Sequence, residues 1–334
     1  MGGKVLEDRP YEIAPAGSAT VWVHDFGMVA DEATVARVAR EGLREVFQEA
    51  FRRVWRGDAE NDNFNRLVLG AGLQWREVAV LRAYARYMKQ AGGAFSQAYM
   101  EQTLAAHPEL ARGLVALFML RFDPAQAGSA DIDARRAAAA EAVRSGLDAV
   151  ANLDEDRILR QFLALIEATL RTNYFQCAAD GGFKPWLSFK FDPAQVPQLP
   201  EPRPAYEIFV YSPRVEGVHL RGGKVARGGL RWSDRMEDFR TEVLGLVKAQ
   251  MVKNAVIVPV GSKGGFVVKN PPPGGEREAV LEEGLACYRT FLRGMLDLTD
   301  NRVGADVVPP PQVVRHDGDD PYLVVAADKG TASF

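Results

Sequence analysis

The sequence predicts a mainly helical subdomain followed by a mixed α/β domain. Two observations carry that expectation: an apolar rhythm at helical spacing over its first half, and a shift to dense Pro, Gly and short β-rich runs near residue 180. At 334 residues, 47% hydrophobic and 25% charged, the chain has enough material for two or three domains with their own cores.

Along the chain, Thr20-Val21-Trp22-Val23-His24 alternates as a strand does, so residues 1–29 read as a strand or two with too little core to stand alone. From Asp31, the residues Val35, Val38, Ala39, Leu43, Val46, Phe47 and Phe51 follow the i, i+3, i+4 spacing of an amphipathic helix. Further helices are expected over 75–88, 95–104, 110–122, 132–150 and 158–174, with breaks at Gly92-Gly93, His107-Pro108 and Asp123-Pro124. They make 30–180 a helical subdomain. After Ala179-Asp180-Gly181-Gly182, strands are expected over 187–191, 206–211 and 215–220. A helix over 237–253 leads into an apolar strand at 255–258, and a helix over 276–298 precedes a strand at 322–326.

Composition excludes several function classes. A net charge of −3 gives no basic field for nucleic acid or an anionic membrane, and no run approaches the roughly 20 apolar residues of a membrane span. Cys177 and Cys287 fit neither a disulfide framework nor paired zinc ligands, and Met1-Gly2-Gly3-Lys4 lacks the apolar run of a signal peptide, so a cytoplasmic location is expected. The histidines His24, His107, His219 and His316 have no ligand-like spacing, and no metal is expected. Asp317-Gly318-Asp319-Asp320 lacks the rest of a calcium loop and reads as a solvated turn.

The densest cations lie in Arg221-Gly222-Gly223-Lys224-Val225-Ala226-Arg227-Gly228-Gly229-Leu230-Arg231. Glycines let the backbone approach a ligand and arginine offers a fork matched to carboxylate or phosphate, so this is a candidate anion site; a solvated hairpin turn fits the same residues. Farther on, Gln250-Met251-Val252-Lys253 ends a helix and the next strand opens into Gly261-Ser262-Lys263-Gly264-Gly265. A lysine so placed can be partly desolvated and serve acid/base chemistry. A phosphate-binding loop does not fit, because Lys263 is followed by Gly264-Gly265-Phe266 rather than Ser or Thr.

Taken in order, Arg227-Gly228-Gly229-Leu230-Arg231, Gln250-x-x-Lys253 and Gly261-Ser262-Lys263-Gly264-Gly265 resemble the substrate-domain signature of glutamate dehydrogenases. The wider run from Val215 to Lys269 is similar to their large, multidomain NAD-dependent class. The resemblance implies an α/β substrate domain of amino-acid dehydrogenase type over 181–334 and oxidative deamination of L-glutamate to 2-oxoglutarate and ammonium. It also implies NAD as cofactor and a homo-oligomeric full-length enzyme.

It further implies roles for single residues. Lys263 matches the catalytic lysine, and Asp328 the aspartate that exchanges protons with ammonia. Gln250 and Lys253 match the pair on the α-carboxylate. Arg227 falls where the small hexameric enzymes place a lysine for the side-chain carboxylate, so charge is kept while geometry changes. Gly261 and Gly264 belong to the substrate-binding bed.

No Gly-x-Gly-x-x-Gly follows a strand and opens a helix, so the nucleotide-binding domain is expected to be absent and the chain an internal fragment, inactive alone. Two other readings remain open from the residues: a non-catalytic helical regulatory module binding a dicarboxylate or phosphate, and a dehydrogenase of another amino acid.

Overall fold

The computed structural model describes residues 3–30, 32, 34–36, 42–253 and 260–333, with the side chains of Val252 and Lys253 outside the description. The expected strand at 255–258 and part of the first expected helix fall outside it as well. Strands β1 (Lys4–Ile13) and β2 (Val21–Val29) form an antiparallel hairpin. Helices α1 (Arg44–Trp55), α2 (Arg66–Gly70), α3 (Trp75–Gln90), α4 (Gln97–Ala106), α5 (Pro108–Phe122), α6 (Ile132–Leu147) and α7 (Leu153–Ala168) follow.

Local chemistry sets these helix ends. The Gln74 N–H donates to Glu77 at 2.7 Å ahead of α3. Pro108 occupies the first turn of α5, where its missing N–H costs nothing, and the Asn152 side chain accepts from the Asp154 and Glu155 N–H groups at the start of α7. Helix α3 is buried on nearly every side and forms the centre of the bundle.

Strands β3 (Thr169–Thr172), β4 (Leu187–Phe191), β5 (Tyr206–Tyr211), β6 (Val215–Arg221), β7 (Ala226–Trp232), β8 (Val260–Val268) and β11 (Val324–Ala327) form a seven-stranded sheet in the order β11-β7-β8-β6-β5-β4-β3. Strands β11, β7 and β8 are parallel and the remaining pairs antiparallel, so the mixed sheet predicted from sequence is present. A small β9 (Asn301–Val303), β10 (Asp306–Val308) hairpin lies apart from it.

The sheet is covered on both faces. One face packs against the bundle and α8 (Phe239–Lys253) through Tyr84, Tyr87, Phe118, Phe189, Phe191, Val243 and Val267. The other packs against α9 (Arg277–Leu296) through Val210, Val215, Leu230, Phe266 and Phe291. Close approach there depends on Gly217 and Gly294, where an added Cβ would sit 2.5 Å from the Phe291 ring and 2.7 Å from Val210.

Several expectations are corrected. The helix predicted over 158–174 stops at Ala168; Thr169 is extended and its hydroxyl bonds the Tyr84 hydroxyl at 2.9 Å, turning the chain into β3. The glycine-rich segment Ala226–Trp232 is a strand rather than part of a solvated hairpin turn, the other structure that fits its residues. The Asp317–Asp320 turn is only partly solvated: Gly318 and Asp319 are exposed, but Asp317 and Asp320 turn inward. Asp317 and Asp320 both bind the buried Lys190 ammonium, Asp320 also binds Arg221, and the fully buried Arg171 joins Asp317 to Asp300. These contacts anchor the 298–322 strap to the sheet.

Candidate functional site

Side chains of a strand alternate between faces, so Arg227, Gly229 and Arg231 of β7 share the face that α8 covers. Strand β8 lies parallel beside it, with Arg227 opposite Gly261 and Leu230 opposite Gly264, and so brings Lys263 onto that face. On the other side β11 pairs Ala327 with Leu230 and delivers Asp328 just past its end, where the Asp328 N–H donates to the Leu230 carbonyl at 2.8 Å.

Gly229 sits between the two candidate catalytic groups. A Cβ added there would lie 3.2 Å from Asp328 Cβ and 3.7 Å from Lys263 Nζ. Gly228, pointing the opposite way, cannot carry any side chain, because a Cβ would fall 1.5 Å from the Ser262 carbonyl oxygen. Of this glycine pair, one permits strand contact and the other keeps the space between Lys263 and Asp328 open.

Lys263 is half-buried and Arg227 exposed; among the described residues, neither side chain forms an ion pair or hydrogen bond. Gln250 reaches from α8 so that its Nε2 donates to the Arg227 carbonyl at 3.5 Å, while its buried Oε1 has no partner among the described residues. It lies over Gly261, where a Cβ would meet the Gln250 amide at 2.3 Å. Lys253 is the last residue of α8, and its side chain is outside the described residues.

Gly264 is not brought to this group. It faces the α9 side, where a Cβ would meet Leu230 Cδ2 at 2.5 Å and the Val218 carbonyl at 3.0 Å.

Asp328 caps the short helix α10 (Lys329–Ala332), its Oδ1 accepting from the Thr331 N–H at 2.8 Å and its Oδ2 from Arg231 Nε at 3.2 Å. Burial opposes its ionisation, but the Thr331 and Arg231 donors outweigh burial and hold the carboxyl below the ordinary aspartate value. Arg231 also donates through Nη1 to Glu242 Oε1 at 2.8 Å, and Glu242 Oε2 accepts from the Ser233 hydroxyl at 2.6 Å.

Arg231 lies within a sequence motif that assigns it no role, and neither Ser233 nor Glu242 stands out in the sequence. A lone glutamate on a helix has no sequence signal tying it to a strand arginine. An open cleft of about 680 Å³ borders this group, lined by Arg231, Trp232, Glu242, Arg277, Asp328 and Thr331 among others.

His219 lies on β6 opposite Gly264, wholly buried, and neither ring nitrogen has a partner among the described residues. Burial, aided by the nearby Arg221 charge, pushes its pKa down to about 3, against the opposing pull of Asp320. No cluster of three or more His, Cys, Asp or Glu able to hold a metal occurs among the described residues, and no helix among them is long and apolar enough to cross a membrane.

The turn from β7 into α8 carries Asp234, Glu237 and Asp238, with Glu242 in the first turn of the helix, where a dinucleotide pyrophosphate needs glycines and free N–H groups, so this strand-to-helix turn does not fit one.

Fold and site together define a helical region joined to an α/β domain, with a lysine, a carboxylate and arginines converging on one sheet face. The model for the catalytic domain of bacterial NAD-glutamate dehydrogenase matches residues 142–334, that for helical motif 3 of glutamate dehydrogenase matches 59–124, and that for its ACT3 domain matches 1–41. The chain belongs to the bacterial NAD-glutamate dehydrogenase family.

NAD-specific glutamate dehydrogenases of Halomonas elongata, Pseudomonas aeruginosa and Mycobacterium tuberculosis are 59%, 57% and 54% identical to it. All three alignments cover 100% of this chain and 20%, 21% and 21% of those proteins, respectively. The chain therefore spans about a fifth of the length of the curated relatives it matches.

Proposed function

We propose that this chain supplies the glutamate-binding half of an enzyme that oxidatively deaminates L-glutamate to 2-oxoglutarate and ammonium with NAD as hydride acceptor. In this reading residues 181–334 form the substrate-binding part, 30–180 a helical subdomain, and 1–29 the tail of a preceding regulatory domain. NAD is held outside the residues described here. The full-length protein is cytoplasmic and assembles with copies of itself.

The observation that carries the reading is the pairing of Lys263 and Asp328 across Gly229 on the face that also bears Arg227. Arg227, half a strand away and free of carboxylate partners among the described residues, orients the side-chain carboxylate. Gln250 and Lys253 hold the α-carboxylate, and a lysine at a helix C-terminus is electrostatically favoured there.

Lys263 polarises the developing carbonyl carbon and assists attack of water on the iminium. Asp328, kept ionised, takes a proton from the substrate ammonium and returns one to the departing ammonia.

The test compares reductive amination of 2-oxoglutarate and 2-oxoisocaproate by the full-length enzyme and its Arg227→Ala variant. The proposal expects a strong preference for 2-oxoglutarate that falls on substitution. Preference for 2-oxoisocaproate, or indifference to Arg227→Ala, would instead favour a dehydrogenase of another amino acid.

A further inference from the structure

Arg227, Arg231 and Lys263 share one sheet face, yet they are not equivalent. Arg227 and Lys263 have no carboxylate partner among the described residues, whereas Arg231 is bound by two: its Nε donates to Asp328 at 3.2 Å and its Nη1 to Glu242 at 2.8 Å. A guanidinium already neutralised by two carboxylates is a poor ligand for a third anion.

Its geometry suits a different task. The fork spans from α8 to the residue that follows β11, with Glu242 fixed from behind by the Ser233 hydroxyl at 2.6 Å. The other Asp328 oxygen is occupied by the Thr331 N–H, and Thr331 is tied to β7 through its hydroxyl, which accepts from the Trp232 N–H at 2.8 Å. Both oxygens of Asp328 are thus oriented from β7, directly or through α10.

We propose that Arg231, held by Glu242 and through it by Ser233, is a positioning residue that fixes the Asp328 carboxylate beside Gly229 for proton exchange with the substrate amine. This rests on the role proposed above for Asp328. The charged and polar groups around Asp328 are Arg231 and Lys263 from the sheet and Thr331 from α10, with Glu242 from α8 and Ser233, Asp234 and Arg277 lining the same cleft.

Among these, Arg231 is the cation in direct contact with the carboxylate. Removing it leaves burial, which favours the neutral acid, less strongly opposed, so the carboxyl titrates at higher pH.

The experiment measures kcat/KM for L-glutamate against pH in the full-length enzyme and its Arg231→Gln, Arg231→Lys and Asp328→Asn variants. Arg231→Gln is expected to lower kcat by about 10- to 100-fold, leave KM within about threefold, and move the acid limb up by about one pH unit. Arg231→Lys, which keeps the charge without the fork, is expected to return the acid limb to its original position with only part of the rate.

An unmoved acid limb in Arg231→Gln overturns the inference, and a large rise in KM with unchanged kcat assigns Arg231 to substrate binding instead. Full activity in Asp328→Asn overturns the proposed function itself, whatever Arg231 does.

Discussion

The adjacent glycines of β7 offer a test in which the same substitution has opposite consequences one residue apart. At Gly228 an added Cβ would lie 1.5 Å from the Ser262 carbonyl oxygen, a backbone atom of the neighbouring strand that cannot swing away. Close carbon to oxygen contacts settle near 3.3–3.6 Å, so β7 and β8 must part by roughly 2 Å and lose ladder hydrogen bonds. Gly228→Ala is therefore expected to cost more than about 4 kcal/mol and to abolish folding of the α/β domain.

At Gly229 the same methyl meets Asp328 Cβ at 3.2 Å, so the Asp328 backbone at the end of β11 must give by a few tenths of an ångström, while Lys263 Nζ at 3.7 Å is in ordinary contact. The stability cost there is about 1 kcal/mol. The methyl nevertheless occupies the space between the proposed acid/base pair, and displacement at a reacting centre costs on the order of 10- to 100-fold in kcat.

Urea midpoints, together with turnover of L-glutamate by the full-length enzyme, separate the two effects. Wild-type turnover in Gly229→Ala, or wild-type stability in Gly228→Ala, would refute the reasoning.

Three further outcomes follow from the geometry. Gly261→Ala pushes the Gln250 amide off its place, since the new Cβ would lie 2.3 Å from it; KM for L-glutamate is expected to rise about tenfold with kcat little changed, measured by steady-state kinetics. Asp320→Ala leaves Arg221 and Lys190 short of a buried counter-ion and is expected to cost about 3–5 kcal/mol in urea unfolding. Burial raises the Asp320 pKa, but Arg221 and Lys190 outweigh it and bring it down to about 2. Its contribution is therefore present above the ordinary aspartate value and lost as pH falls toward 2.

His219 acts in a higher window. It is neutral when folded, with a pKa near 3, so from about pH 6.5 downward the unfolded chain gains protons first and stability falls by up to about 1.4 kcal/mol per pH unit. His219→Leu is expected to flatten urea midpoints between pH 6 and 4.5, and an unchanged slope would show that other groups set the acid sensitivity.

How much of this was legible in the sequence depends on whether the partner of a residue is near or far in the chain. Strands over 187–191 and 206–211 coincide with the expected bounds because each is an uninterrupted apolar or alternating run, and α3 and α5 begin and end within a few residues of prediction because local caps and Pro108 mark them. Strand β7 was hidden because Gly228 and Gly229 weaken strand propensity, and the need for them lies in Ser262 and Asp328, which only the fold brings alongside.

The Asp317–Asp320 turn resembles a solvated loop for the same reason, since its counter-ions Arg171, Lys190 and Arg221 come from other strands. At the site, family motifs named Lys263, Asp328, Arg227 and Gln250, and the fold brings these to one region. Gly264 faces the opposite side, and Glu242 carried no signal because its partner Arg231 lies 11 residues earlier on a strand, a pairing that no local spacing marks.

If Lys263 acts on the reacting centre of glutamate, the steady-state rate of L-glutamate oxidation by the full-length enzyme collapses in Lys263→Ala. A fall in kcat of at least about 100-fold is expected, with KM within a few-fold of wild type. Turnover equal to wild type would contradict it.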